Sequence, residues 1–199
     1  LPSQNHDWAR TVYGAVREQR PMDAPPVKGE LVRTTMYKDA NLYHDLVNGG
    51  SVTGILHLFN KTVIDWYSKK QATVETATYG SEFVAACTTM EQIIDLRITL
   101  RYLGVTVKGS TMMFGDNESV VNSSSVPHAR LHKRHTALSF HRVREGIAAG
   151  IAKFHHVRSA CNPADILSKH WGYSQVWPLL QPLLFWEGDT MELAPTEEP

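Results

Sequence analysis

Four carboxylates stand where a fold built from this sequence can gather them: Asp39, Glu82, Asp116 and Asp165. Asp39 closes a β-branched and aromatic run, LVRTTMYK. Asp116 follows the short apolar run TMMFG, and Asp165 opens a last helix after Asn162-Pro163-Ala164. Glu82 lies on a long helical stretch. At about 100° per residue it shares one line with Ala86, Thr89, Ile93 and Leu100. Burying an unpaired charge is costly, so a glutamate on a core stripe is protonated, paired or bound to a cation. The alternative is a frayed first turn with Glu82 in water, just as each aspartate alone reads as a solvated strand or helix end. Two carboxylates about 4 Å apart repel by roughly 4 kcal/mol at an effective dielectric of about 20. A fold does not keep several such pairs for stability. Oxygen ligands without His or Cys favour Mg2+ or Mn2+ over zinc, and two such ions about 3.5–4 Å apart suit in-line displacement at phosphorus.

The elements that must position these acids follow from the pattern of the chain. Leu31–Lys38 reads as strand one, ending at Asp39. Asn48-Gly49-Gly50 is a turn signal, and SVTGILHLF and TVIDWYS are two more strands joined through Asn60-Lys61 as a tight hairpin. From about Thr76 to Gly104 one proline-free helix is expected. TMMFG (Thr111 to Gly115) is a central strand buried on both faces. Asn117 to about Val121 starts a helix, with NSSSVPHARLHKRH after it as a basic loop. Thr136 to Ala149 is amphipathic through Phe140, Val143 and Ile147, with Gly150 as its cap. Ile151 to Arg158 is the last strand. Three strands, then helix, strand, helix, strand, helix imply an α/β fold with a mixed five-stranded sheet: an antiparallel three-strand meander plus two parallel strands, flanked by helices. If strands one and four are adjacent, Asp39 and Asp116 become neighbours at the carboxyl ends, where sites form in such sheets.

At 199 residues the chain holds one domain with loose ends, and its 42% hydrophobic and 20% charged composition is that of a soluble globular protein. Formal net charge is zero, so nucleic-acid binding must come from a local patch. Cys87 and Cys161 suggest no disulfide framework and fit a reducing compartment. No apolar run reaches membrane-spanning length, and the start LPSQNHDWAR carries no signal-peptide pattern. The lack of an initiator Met suggests a fragment of something longer. Residues 1–30, with Trp8 and Tyr13 as anchors and a short helix over roughly Trp8–Gln19, read as a linker. Residues 31–171 read as the domain, and 172–199, with Trp177 and Trp186, as an extension with an acidic tail.

With those residues in view, the chain resembles the ribonuclease H region at the carboxyl end of copia-type retrotransposon polyproteins. The matching stretches are MYKDAN around Asp39, IDWYSKKQATVETATYGSEFVA around Glu82, FGDNESVV around Asp116 and NPADILSK around Asp165, with HRVREGIAAG after the basic loop. The likeness covers roughly Trp8 to Trp171. It implies a ribonuclease H-like sheet, with Asp39, Glu82, Asp116 and Asp165 as the catalytic, metal-binding acids. It further implies Mg2+-dependent (or Mn2+-dependent) two-ion cleavage of the RNA strand of RNA–DNA hybrids during reverse transcription. The upstream reverse transcriptase region of the same polyprotein is the implied partner. The implied location is cytoplasmic virus-like particles, with later nuclear entry. Departures are Asn41, where many relatives carry a second acid, Leu42-Tyr43 in place of a glycine, and Gly80 in place of a glutamate. The loop Ser159-Ala160-Cys161-Asn162 lacks the histidine of cellular ribonucleases H, so proton transfer or product release is expected to be slower or handled differently.

For the substrate, Lys69 and Lys70 before the long helix and Arg134 and His135 in the loop, beside Arg130, His132 and Lys133, are expected to track phosphates. Ser81 and Asn117, each next to an acid, are candidates to read the 2′-OH. Lys69 and Lys70 read equally well as a solvated turn. The histidines His128, His132, His135, His141, His155 and His156 with Cys161 invite a zinc reading. Their spacing fits no finger pattern, and His155-His156 must point to opposite faces of a strand. A non-catalytic nucleic-acid-binding or scaffold module on this fold is the rival class. A transposase or integrase would carry its glutamate on a late helix rather than the first.

Overall fold

The computed structural model describes residues 12–13, 22–45, 49–126, 128–131 and 134–184, apart from the side chains of 43–45 and 135. Its centre is a five-stranded sheet in the order β3-β2-β1-β4-β5. β1 (Thr34–Asp45), β2 (Gly50–Phe59) and β3 (Thr62–Lys70) form the antiparallel meander. β4 (Thr111–Gly115) runs parallel to β1, and β5 (Ala152–His156) runs parallel to β4. Phe59 pairs with Thr62, so Asn60 and Lys61 alone make the β2–β3 turn, with Asn60 at φ 57. Asparagine tolerates that left-handed conformation better than most residues.

α1 (Thr78–Tyr102) crosses from the meander to β4. It stops at Gly104, whose φ of 77 lets its N–H and that of Leu103 close back on the carbonyls of Arg101 and Thr99. The whole expected stripe is buried, Glu82 included. Below it Phe83 and Met90 pack with Met36 of β1, Met113 of β4 and Phe154 of β5. α2 (Glu118–Ser125) and α3 (Ala137–Ala148) complete this layer, α3 through Phe140, Val143 and Ile147. Removing side chains of this size from water contributes roughly 1.5–3 kcal/mol each, which holds α1 to the sheet along its length.

α4 (Asp165–Ser168) and α5 (Tyr173–Leu184) pack on the opposite side, over β1 to β3. α4 approaches closely at Gly54. A Cβ there would lie 2.7 Å from the Ala164 carbonyl and 2.9 Å from Leu167 Cβ.

Several boundaries differ from the sequence expectation, each for a physical reason. β1 does not end at Asp39 but runs on to Asp45, because β2 continues to pair with it through Asp39–Gly54, Ala40–Thr53 and Asn41–Val52. β3 reaches Lys70 rather than Ser68, paired to Val52, so Lys69 and Lys70 belong to a strand and not to a turn. α2 extends through the serine run to Ser125, since Ser123 and Ser124 face inward. The segment after Gly172 contains a helix despite Pro178 and Pro182. Val176, Trp177, Leu180 and Leu183 are half-buried at helical spacing, and the two prolines sit four apart on the exposed flank. The expected N-terminal helix lies outside the described residues except for Val12 and Tyr13, which are helical. Trp186 and the acidic tail also lie outside them.

Candidate metal centre

Parallel pairing of β1 with β4 runs Thr35–Met112, Met36–Met113 and Tyr37–Phe114, then stops. Two residues further in the same register are Asp39 on one strand and Asp116 on the other. The second turn of α1 passes over this edge and supplies Glu82. Asp39, Glu82 and Asp116 each present a carboxylate oxygen, and these oxygens lie within 4.8 Å of one another. Asp39 and Glu82 are buried and Asp116 is half-exposed, so the group opens to solvent through Asp116. Among the described residues no His or Cys group gathers in this way. His155 lies against Phe114 and His156 faces the other way, toward Asp116.

Asp165 does not join the trio directly. Lys169, one turn on, donates to its Oδ1 at 2.8 Å and sits 3.5 Å from Asp39 Oδ2. The lysine therefore links the fourth acid to the first. Ser168 donates to Asp39, and Ser159, at the start of the short turn Ser159–Cys161, donates to Asp116 Oδ2 at 2.8 Å. His156 Nε2 reaches the Asp116 carbonyl at 3.1 Å. Asn162, fully buried, donates to the Lys38 carbonyl at 3.0 Å and accepts from the Ala164 N–H at 3.2 Å. It fastens the start of α4 to β1 beside Asp39. The Asn-Pro-Ala-Asp run thus caps its own turn and pins it to the sheet.

The electrostatics follow from this crowding. Burial pushes Glu82 up to about 7; Lys38 pulls against that, and the charges of Asp39 and Asp116 add to it. Asp165 is pushed up to about 6 by burial and by Asp39, against the pull of Lys169. Burial alone would lower Lys169, but Asp165 and Asp39 outweigh it and hold its ammonium above the ordinary lysine value. Burial and neighbouring acids thus raise Glu82 and Asp165 above the ordinary carboxylate range, a strain that a hard divalent cation would relieve. Three convergent carboxylate oxygens with no sulfur or imidazole among them fit Mg2+ or Mn2+.

The remaining substrate candidates divide. Lys69 and Lys70 are exposed, and with Ser68, Ser168, Lys169 and His170 they line a polar groove of about 320 Å3 between the end of β3 and α4, next to the acids. Asn117 caps α2, its side chain accepting from the Val120 N–H at 3.2 Å. Ser81 lies inside the wall of the site rather than on its surface. It is fully buried, its hydroxyl donates to the Thr78 carbonyl at 3.0 Å, and its own carbonyl accepts from Gln71 at 2.8 Å. Its neighbour Glu82 points inward, and the first turn carries Ser81 into the wall. Arg134 is exposed in a one-turn helix ahead of α3, while the side chain of His135 lies outside the described residues.

Two side chains at the site escaped the sequence reading. Lys38, fully buried, is paired with Glu82, and Lys169 bridges Asp39 and Asp165. The signals were present. Lys38 alternates in phase with Met36 on a strand, and Lys169 stands four residues after Asp165.

No protein-family model matches the chain. Over 135 residues, 67% of its length, it is 33% identical to the retrovirus-related Pol polyprotein from transposon TNT 1-94 of Nicotiana tabacum. The match spans about 10% of that polyprotein. In fold it is similar to RNase H1 from the archaeon Halobacterium salinarum (TM-score 0.53, 15% identity, covering 68% of this chain and 94% of that one). It is equally similar to LC11-RNase H1, solved in complex with an RNA/DNA hybrid (TM-score 0.53, 16% identity, covering 68% and 94%). By sequence the chain is a relative of one segment of retrovirus-related Pol polyproteins from plant transposons, and by fold it is a ribonuclease H-type domain.

Proposed function

We propose that this chain hydrolyses the RNA strand of RNA–DNA hybrids in a divalent-cation-dependent reaction that serves retrotransposon reverse transcription. The observation that carries the reading is the convergence of Asp39, Glu82 and Asp116 within 4.8 Å at the ends of two parallel strands. The likeness to Pol polyproteins and to a ribonuclease H fold solved with a hybrid supports it. Asp39, Glu82 and Asp116 would hold Mg2+ or Mn2+, and Asp165, linked to Asp39 through Lys169, would be the fourth carboxylate of a two-ion arrangement. Ions bound there would supply an activated water and stabilise charge on the leaving oxygen.

The chain's own residues do the positioning. Ser168 and Ser159 fix the rotamers of Asp39 and Asp116 by donating to them. Asn162 keeps α4 against β1, so that Asp165 stays beside Asp39. Lys69 and Lys70 line the groove leading to the acids and are placed to take the phosphates of a bound strand. An upstream reverse transcriptase region would add most of the holding, because a domain of zero net charge offers no broad basic field.

The pairing of Lys38 with Glu82 favours one rival, a module that binds nucleic acid without cutting it. A substrate panel separates the two. End-labelled RNA–DNA hybrid, RNA duplex, DNA duplex and single-stranded RNA are incubated in Mg2+, in Mn2+ and in EDTA. The proposal expects cleavage of the hybrid's RNA strand alone, and only with metal. Binding of the hybrid without cleavage under any condition would establish the module instead.

A further inference from the structure

Lys38 is among the largest fully buried side chains of the described residues, and it lies within the acid cluster. A lysine is rarely buried so completely unless its charge is met. Here the berth is built for it. β1 points Lys38 to the same side as Met36. Gly115 leaves the space its side chain crosses, since a Cβ there would run into Lys38 Cε. The Phe154 ring lies under the ammonium, with Nζ 5.6 Å from the ring centre. The side chain ends on Glu82, one of the three carboxylates that converge. An ammonium and a divalent cation want the same oxygens, and in a site this buried each raises the cost of the other.

We propose that Lys38 is a tethered occupant of the carboxylate site, holding Glu82 when no metal is bound and thereby weakening divalent-cation binding there. The inference rests on the reading of Asp39, Glu82 and Asp116 as a cation site and adds that this chain carries its own competitor for it. One consequence is a site that stays ordered without metal. Another is that cation affinity is set lower than three carboxylates alone would give.

Mn2+ binding to the whole chain, by calorimetric titration and by the loss of the free-ion EPR signal, tests this against Lys38→Met, an apolar replacement of similar length. The expected result is binding at least about tenfold tighter in Lys38→Met. The metal-free variant should also melt below the native chain, with saturating Mn2+ closing the gap. Equal or weaker binding by a folded Lys38→Met overturns the inference while leaving the cation site intact. No Mn2+ uptake by either chain overturns the cation site as well. Should Lys38→Met not fold without metal, Lys38→Gln, which keeps a polar head but removes the charge, replaces it. It is likewise expected to bind Mn2+ at least about tenfold more tightly than the native chain. Equal or weaker binding by folded Lys38→Gln would equally overturn the inference.

Discussion

Glu82 begins a stripe that is otherwise core, and its burial makes it the most perturbed of the acids. Its carboxyl keeps a proton up to about 7 in the folded chain, against 4.5 ordinarily. Between those values the unfolded chain has lost a proton that the folded chain retains. The stability from this group is therefore full below about 4.5 and falls as pH rises toward 7. Asp165, also raised, acts in the same sense, while burial lowers His57 and His155, which act in the opposite one, so the whole-protein profile mixes them. Glu82→Gln isolates the contribution of Glu82. In urea melts with EDTA, the native chain should lose stability relative to the variant between pH 5 and 7.5. A gap that stays constant would mean Glu82 is not perturbed by its burial. The acids were legible in the sequence because run endings and helical phase place them. Lys38 and Lys169 carried weaker signals: Lys38 beside Asp39 reads as a strand's solvated end, and Lys169 as the exposed end of a short helix, until the partner elements are in place.

At the scale of elements, every strand and the mixed sheet of a meander plus two parallel strands were legible from alternation, apolar runs and turn residues; the order that sets β1 beside β4 came from the structure. Their lengths were not. Asn41 to Asp45 look unfavourable for a strand, and only the pairing with β2, a long-range fact, keeps them extended. The prolines of α5 hid a helix whose half-buried stripe decides the matter. The element that seats Asp165 is the shortest of the described α-helices. α4 is one turn, held by Asn162 and by its close approach to Gly54. A methyl group at Gly54 meets backbone and Cβ atoms that cannot swing aside. Gly54→Ala should therefore cost about 1–3 kcal/mol, read as a lowered urea midpoint, and should displace α4 together with Asp165. A variant of native stability would show that α4 is not seated on the sheet in this way.

Taken as a whole molecule, the chain carries no net charge, and its basic groups near the acids are local: Lys69, Lys70 and Lys169 around one groove. Hybrid binding should accordingly be weak, with a salt dependence set by these few lysines. Lys69→Ala with Lys70→Ala should lower affinity and flatten the dependence of log K on log salt by roughly one unit for each phosphate no longer neutralised. An unchanged slope would place the nucleic acid elsewhere on the surface. Among the described residues no helix is long and apolar enough to cross a membrane. The central claim is that acids drawn from two strands and a helix form one hydrolytic site. Its most direct test is the initial rate of hybrid cleavage in Mg2+ by the native chain and by Asp116→Asn, which changes the half-exposed member of the trio. The account predicts a rate lower by about a hundredfold or more with the fold intact by circular dichroism; cleavage at the native rate by Asp116→Asn would contradict it.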